Sequence, residues 1–398
     1  MTRVLVVDDS RFMRTIIDNA LTSAGYEVET AENGLEAVDA VSTFDPAVVT
    51  MDVEMPEMDG IEAVERIMAT DPTPILMLSA YTDAGTEATL EALARGAVDF
   101  LSKPDGSGAR NVAHLADDVV EKVDALADAD VSSLAVAQTA SAAASVRSIR
   151  ARQASTGSTA SVGTETTVDS VADAPVRAGA SAVPSDSRSD READLEALAD
   201  DLDIEPVVVV GASTGGPRVV ERLLERLPTS LGATVIVVQH MPPEFTARFG
   251  DRLDAISDYD VSEADDGDRI GGGDAVVAPG GFHLEIATNV AGKLRLRLDD
   301  GDRVHGVRPS IDVTMKSVAR RVSNPICGVA LTGMGRDGAA GIEAIKAAGG
   351  RTIAQDEVTS PVFGIPCQAI RTGCVDDVVS GADVADAVVD AFTGESDD

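Results

Sequence analysis

The chain has 398 residues, room for two to three domains at about 150 residues each, and 44% of them are hydrophobic, enough for real cores. It carries 68 acidic against 32 basic residues, a formal net charge of −36. Binding to nucleic-acid phosphates or to anionic membranes draws on a Lys/Arg excess, so this balance argues against both. Lysine is confined to Lys103, Lys122, Lys293, Lys316 and Lys346. An acidic, lysine-poor surface suits a high-salt cytoplasm, where self-repulsion is screened over about 3 Å at 1 M; an ordinary acidic protein is the other reading. No apolar run approaches the ~18 residues that a membrane helix needs. Met1-Thr2-Arg3 leads directly into a strand-like run without a signal-peptide pattern, so a cytoplasmic protein is expected.

In chain order, Val4–Val7, Ala47–Met51, Ile75–Leu78 and Val98–Leu101 read as buried strands, with Tyr26–Thr30 a weaker fifth. Amphipathic stretches lie between them, Phe12, Ile16, Ile17, Ala20 and Leu21 among them at helical spacing. Asn33 and Glu36 have the spacing of a capping box. Five βα units imply a parallel sheet with helices on both faces. Residues 131–190 are rich in Ala, Ser, Thr and Val, and no aromatic occurs between Phe100 and Phe245. Such composition buries too little apolar surface to offset chain entropy. It reads as a flexible linker with an r.m.s. span of about 40–45 Å. A short helix is expected over 193–202.

From Pro206 the α/β pattern resumes. Strands are expected at Val207–Val210, Val235–Val238, Ala275–Ala278, Leu284–Ala287, Leu294–Leu298 and Ile326–Leu331, and helices at Arg218–Leu227, Asp312–Val322 and Ala339–Ala348. Cys327, Cys367 and Cys374 lack CxxC spacing, and their odd number argues against a disulfide framework. Cys327 and Cys367 are expected in the core.

In the first domain Asp8 and Asp9 end the first strand, Asp52 ends the third, and Lys103 follows the fifth. The C-terminal ends of parallel strands share one ligand-binding edge. Carboxylates gathered there repel unless a cation joins them, and Mg²⁺, a hard ion that takes oxygen ligands, fits. A metal-held aspartate can attack a phosphoryl group with Lys103 as counter-charge, and Ser79 can donate to a phosphate oxygen. The plainer reading is a helix cap plus a solvated loop acid.

Residues 3–128 resemble a two-component receiver domain through Val6-Val7-Asp8-Asp9-Ser10, Met51–Gly60, Leu78-Ser79-Ala80 and Phe100-Leu101-Ser102-Lys103-Pro104. The resemblance implies a flavodoxin-like fold and Asp52 as phospho-acceptor. It implies Mg²⁺ surrounded by Asp8, Asp9, Asp52 and the Glu54 carbonyl. Ser79 and Phe100 would be the switch pair.

In the second domain the first strand runs into Gly211-Ala212-Ser213-Thr214-Gly215-Gly216-Pro217, which has nucleophile-elbow spacing. A Gly-rich strand–turn–helix can equally cradle a phosphate. Three histidines, His240, His283 and His305, are candidates for the base. His240 closes a strand and so shares the edge of Ser213, whereas His283 precedes a strand and His305 sits in a polar loop. Asp337, in a glycine-rich turn after Ile326–Leu331, is the candidate orienting acid; alternatively it caps the helix that follows. Triads are recognised by roles rather than chain order.

Residues 204–395 resemble the catalytic domain of the chemoreceptor methylesterase family, protein-glutamate methylesterase/protein-glutamine glutaminase. The matching segments are Gly211–Pro217, Gln239–Thr246, Ala278–Leu284, Arg308–Val313, Leu331–Gly338 and Ser360–Pro366. The resemblance implies an α/β architecture of two doubly wound parallel-sheet domains, receiver then Rossmann-like methylesterase domain, joined by the linker at 129–203. It implies Ser213 as nucleophile, His240 as general base then acid, Asp337 as orienter and the amides of Thr214 and Met334 as oxyanion hole. The substrates implied are methyl-esterified glutamates and certain glutamines of chemoreceptors, the phosphodonor a histidine kinase. The esterase chemistry needs no cofactor. Two features depart from the family: the linker is long, and Val307 stands where relatives often carry a histidine. A non-catalytic response regulator with a Gly-rich ligand- or partner-binding output domain is the alternative. A transcription factor is disfavoured by charge and by the lack of a recognition-helix unit.

Overall fold

The computed structural model describes residues 1–79, 82–103, 109–127, 129 and 205–393. Apart from Ala129, the expected linker and the helix expected at 193–202 lie outside the described residues. No helix among the described residues is long and apolar enough to cross a membrane.

The first sheet comprises β1 (Arg3–Val7), β2 (Glu27–Ala31), β3 (Val48–Asp52), β4 (Ile75–Ser79) and β5 (Asp99–Ser102). All pairings are parallel, in the order β2-β1-β3-β4-β5. The helices are α1 (Arg11–Ser23), α2 (Gly34–Phe44), α3 (Gly60–Thr70), α4 (Asp83–Arg95) and α5 (Ala109–Leu126). Central strands β1, β3 and β4 are apolar runs because both of their faces are covered. The chain reverses direction across the sheet between β1 and β3, opening a crevice where Asp8 and Asp52 end adjacent strands.

Asn33 caps α2, accepting from the Glu36 amide at 2.9 Å, while the Glu36 carboxylate reaches back to the Glu32 amide. The apolar reading of α1 needs one correction. Phe12 is 57% exposed, and Arg14 is buried in its stead. The Arg14 guanidinium donates to the carbonyls of Asp8 and Asp9 and pairs with Glu32, which offsets its desolvation.

The second domain has a seven-stranded parallel sheet. Its strands are β6 (Val207–Ala212), β7 (Thr234–Gln239), β8 (Asp260–Glu263), β10 (Asp274–Val277), β13 (Ile326–Ala330), β14 (Arg351–Gln355) and β15 (Asp377–Val379), ordered β15-β14-β13-β6-β7-β10-β8. Around it lie α6 (Gly216–Arg226), α7 (Pro243–Ile256), α8 (Ile311–Arg321), α9 (Ala339–Ala347), α10 (Ile365–Arg371) and α11 (Val384–Thr393). The runs expected at 284–287 and 294–298 do not join this sheet. They belong to an antiparallel hairpin, β11 (His283–Val290) and β12 (Lys293–Asp299), which pairs with β9 (Arg269–Ile270). Their alternating burial fits one covered face, as an antiparallel hairpin allows.

All three cysteines are free. Cys327 is fully buried, and burial pushes its thiol up to about 12. Cys367 is only half-buried, on the short helix α10, rather than in the core.

Candidate active site

The receiver crevice gathers the expected acids and lysine. Carboxylate oxygens of Asp8, Asp9 and Asp52 lie within 4.8 Å of one another. Lys103 Nζ sits 2.8 Å from Asp8 Oδ2 and 2.7 Å from Asp52 Oδ2. Burial is the main force on Asp52 and lifts its pKa to about 6, with Lys103 opposing and Asp8 reinforcing the rise. Burial works against the Lys103 charge, yet the two carboxylates hold its pKa above the ordinary value. Three converging carboxylates are the oxygen-rich donor set that a hard divalent cation takes. The Ser79 hydroxyl, fully buried, donates to the Gly85 carbonyl at 3.0 Å.

In the second domain three strand ends meet. Gly211 pairs with Ala330 and Ala212 with Gln239, so the turns after β6, β7 and β13 emerge together. These turns carry Ser213, His240 and Asp337, which all line one cavity of about 750 Å³. His240 Nε2 is 3.0 Å from Asp337 Oδ2. The Ser213 hydroxyl makes no hydrogen bond among the described residues. The turn after β13 can pass this close to the serine only as glycine: a Cβ on Gly333 would stand 2.6 Å from Ser213 Cβ. The amides of Thr214 and Met334 donate to no protein acceptor among the described residues.

Asp337 does not cap the helix that follows it. Its Oδ1 accepts from the Ser310 hydroxyl at 2.8 Å and the Asp312 amide at 3.1 Å, and its Oδ2 from the Ile311 amide at 2.7 Å. It therefore caps α8, a helix that precedes it in the chain. Asp312 does the converse, its Oδ1 accepting from the amides of Gly338 and Gly341 at the start of α9. Each acid sits in the other helix's positive N-terminal field. Burial alone would raise the Asp337 pKa, but His240, Ser310 and the Asp312 amide together hold it below the usual carboxylate range.

The other two histidines take different places. His283 opens β11, is buried, and its Nε2 bonds to the Asp302 carbonyl. His305 lines the Ser213 cavity, with Nε2 3.1 Å from Asp312 Oδ2 and a left-handed backbone at φ 54°. Left-handed backbone at a residue other than glycine is strained and tends to cluster at functional sites.

The receiver touches the serine turn directly. The Thr214 hydroxyl donates to Asp99 Oδ2 at 2.6 Å and accepts from Lys122 Nζ at 3.0 Å, while Lys122 also pairs with Asp99. The Gly215 amide donates to the Val98 carbonyl at 3.0 Å. The Phe100 ring packs on Phe245 of α7, with centroids 4.2 Å apart. Arg252 on α7 bridges Glu221 at 2.5 Å and Glu91 on α4 at 3.5 Å.

Residues 4–109 match the response regulator receiver domain family and residues 208–388 the CheB methylesterase family. The protein-glutamate methylesterase/protein-glutamine glutaminase of Halobacterium salinarum is 45% identical over 393 residues, covering 98% of this chain and 99% of that protein. The chain belongs to the protein-glutamate methylesterase/protein-glutamine glutaminase family. Its relative of the same description from Natronomonas pharaonis is 46% identical over 392 residues, covering 98% of each chain. The crystal structure of the Thermotoga maritima CheB methylesterase catalytic domain shares 39% identity, covers 47% of this chain and 98% of its own, and has a TM-score of 0.45. Methylesterase relatives in halophilic archaea accord with the acidic, lysine-poor composition.

Sequence reasoning on this methylesterase chain missed Asp312, Gln239, Asp99 and Lys122. Gln239 Nε2 donates to the Ser213 carbonyl at 2.9 Å from a buried position. A buried glutamine one residue before the candidate base was a legible signal. The pairing of Lys122 with Thr214, 92 residues apart, left none.

Proposed function

We propose that this chain is a receiver-controlled serine hydrolase acting in the cytoplasm on chemoreceptors. It demethylates glutamate methyl esters, releasing methanol, and deamidates certain receptor glutamines, releasing ammonia. The observation that carries this reading is the bonded His240–Asp337 pair sharing one cavity with Ser213 and Met334, beside turn amides of Thr214 and Met334 that have no acceptor among the described residues. Ser213 Oγ attacks the ester carbonyl as His240 takes its proton. With Nε2–H committed to Asp337, the imidazole lone pair is on Nδ1. The amides of Thr214 and Met334 receive the developing oxyanion. His240 returns the proton to the leaving methanol, or to ammonia on the glutamine route, and water then hydrolyses the γ-glutamyl ester of Ser213. The open hydroxyl suits an apo site, because catalytic hydrogen bonds tighten only once substrate is bound.

In the receiver, Asp8, Asp9, Asp52 and the Glu54 carbonyl would hold Mg²⁺, which when bound neutralises phosphate oxygens. Asp52 accepts the phosphoryl group from a histidine kinase, with Lys103 as fixed counter-charge. Ser79 exchanges the Gly85 carbonyl for a phosphate oxygen, and Phe100 follows as its switch partner. Before phosphorylation the receiver holds the serine turn through Thr214 and Gly215. Moving Phe100 off Phe245 frees that turn and shifts the population toward an open form.

Methanol release from methylated receptor membranes tests the reading. A phosphodonor is expected to raise the wild-type rate, while Asp52→Ala keeps the resting rate and loses the stimulation. Stimulation that persists in Asp52→Ala contradicts the assignment. Lys122→Met leaves Asp99 buried without its cation and weakens the closed form. Its rate without phosphodonor is expected to rise roughly fivefold or more; an unchanged resting rate removes the Thr214 contact from the account.

A further inference from the structure

The cavity around Ser213 runs against the charge of the chain. Acids outnumber bases by more than two to one; among the described arginines Arg308 and Arg321 bond carbonyls alone, whereas Arg66, Arg95, Arg226, Arg252 and Arg297 pair with carboxylates. Arg303 and Arg336, both on the rim of this cavity, do not. Arg303 Nη1 donates to the Gly306 carbonyl at 3.3 Å, and neither guanidinium has a carboxylate within ion-pair distance among the described residues. The one acid that this domain contributes to the lining, Asp337, is buried and fully engaged by its donors.

The facing wall belongs to the receiver. Asp118 and Glu121 of α5 line the same cavity. Three residues apart on one helix, they present neighbouring carboxylates to the cationic rim. The covering element is therefore itself a helix with an acidic face.

We propose that Arg303 and Arg336 form a carboxylate-recognition subsite that selects a glutamyl ester flanked by free glutamates on the same face of a receptor helix, a subsite that Asp118 and Glu121 of the receiver face across the cavity without occupying it. This rests on the hydrolase reading and adds the feature of the substrate that the site recognises. Arginine suits the task because its planar fork bonds a carboxylate through two parallel N–H groups. At high salt, with charge screened over about 3 Å at 1 M, long-range steering is suppressed and direct contact of this kind survives.

The experiment uses the full chain with phosphodonor and two methylated chemoreceptor preparations. One has its native glutamates around the methylated site, and in the other those glutamates are replaced by glutamine. The wild-type kcat/KM is expected to favour the native receptor by about tenfold, the value of one or two partly exposed charge pairs. In the double variant Arg303→Gln/Arg336→Gln that ratio is expected to collapse toward one, and Arg303→Lys/Arg336→Lys to restore part of it. Equal wild-type rates on the two receptors overturn the subsite. So does a ratio that survives in the glutamine variant, including the case where both rates fall together through misfolding. Absence of methanol from the native receptor with wild type refutes the hydrolase reading beneath it, an outcome distinct from either.

Discussion

Ser213→Ala is expected to lower methanol release from methylated receptors by about 10⁴-fold or more, the loss seen when a nucleophile is removed from a unit that acts together. The substitution deletes one hydroxyl that makes no hydrogen bond among the described residues. The alanine Cβ keeps the close contact with Gly333, so the fold is expected to be unperturbed. Melting curves that superimpose on wild type, together with loss of methanol release, locate the defect in chemistry. Retention of the rate within a factor of about ten removes Ser213 as nucleophile, because residual catalysis from an oxyanion hole and binding alone falls far below that.

Asp337→Asn is expected to act on two observables at once. As the partner of His240, an amide in place of the carboxylate favours the wrong imidazole tautomer and withdraws the charge that stabilises imidazolium, for a loss of about 10³- to 10⁴-fold in kcat. As the cap of α8, the carboxylate accepts from Ser310, Ile311, Asp312 and His240. An asparagine has one acceptor oxygen, so its NH₂ faces donors, and a stability loss of about 1–3 kcal/mol is expected. The pH dependence follows from the carboxyl being held below its ordinary value of 3.8. Unfolding releases that constraint, so the unfolded chain binds the proton more readily than the folded one. The stabilisation is complete above about pH 3.8 and disappears as the pH falls through the lower folded value. In urea titrations the wild-type advantage over Asp337→Asn is expected to shrink below pH 4. A gap independent of pH contradicts the charged-cap account.

The receiver sheet was legible because its central strands are apolar runs and the helices between them show 3.6-residue spacing, both local patterns. The acidic crevice followed, since parallel strands place all their C-terminal ends on one edge. The same reasoning brought Ser213, His240 and Asp337 to a common rim. It failed for β11 and β12, whose short apolar runs read alike in a parallel sheet and in a half-covered hairpin. It also misplaced Phe12, because helical spacing alone does not reveal that Arg14 has buried carbonyl partners.

Sequence by itself determined that Asp8 and Asp52 in one domain, and Ser213, His240 and Asp337 in the other, lie at or beyond the ends of strands, and so which side chains could meet above each sheet. Only the tertiary structure decided that Asp337 and Asp312 exchange helices, that His305 joins the rim of the serine cavity, and that Asp99 and Lys122 close on Thr214. Strand ends are set by nearest-neighbour patterning. Those contacts join residues distant along the chain, and their partners are selected by how helices and domains pack.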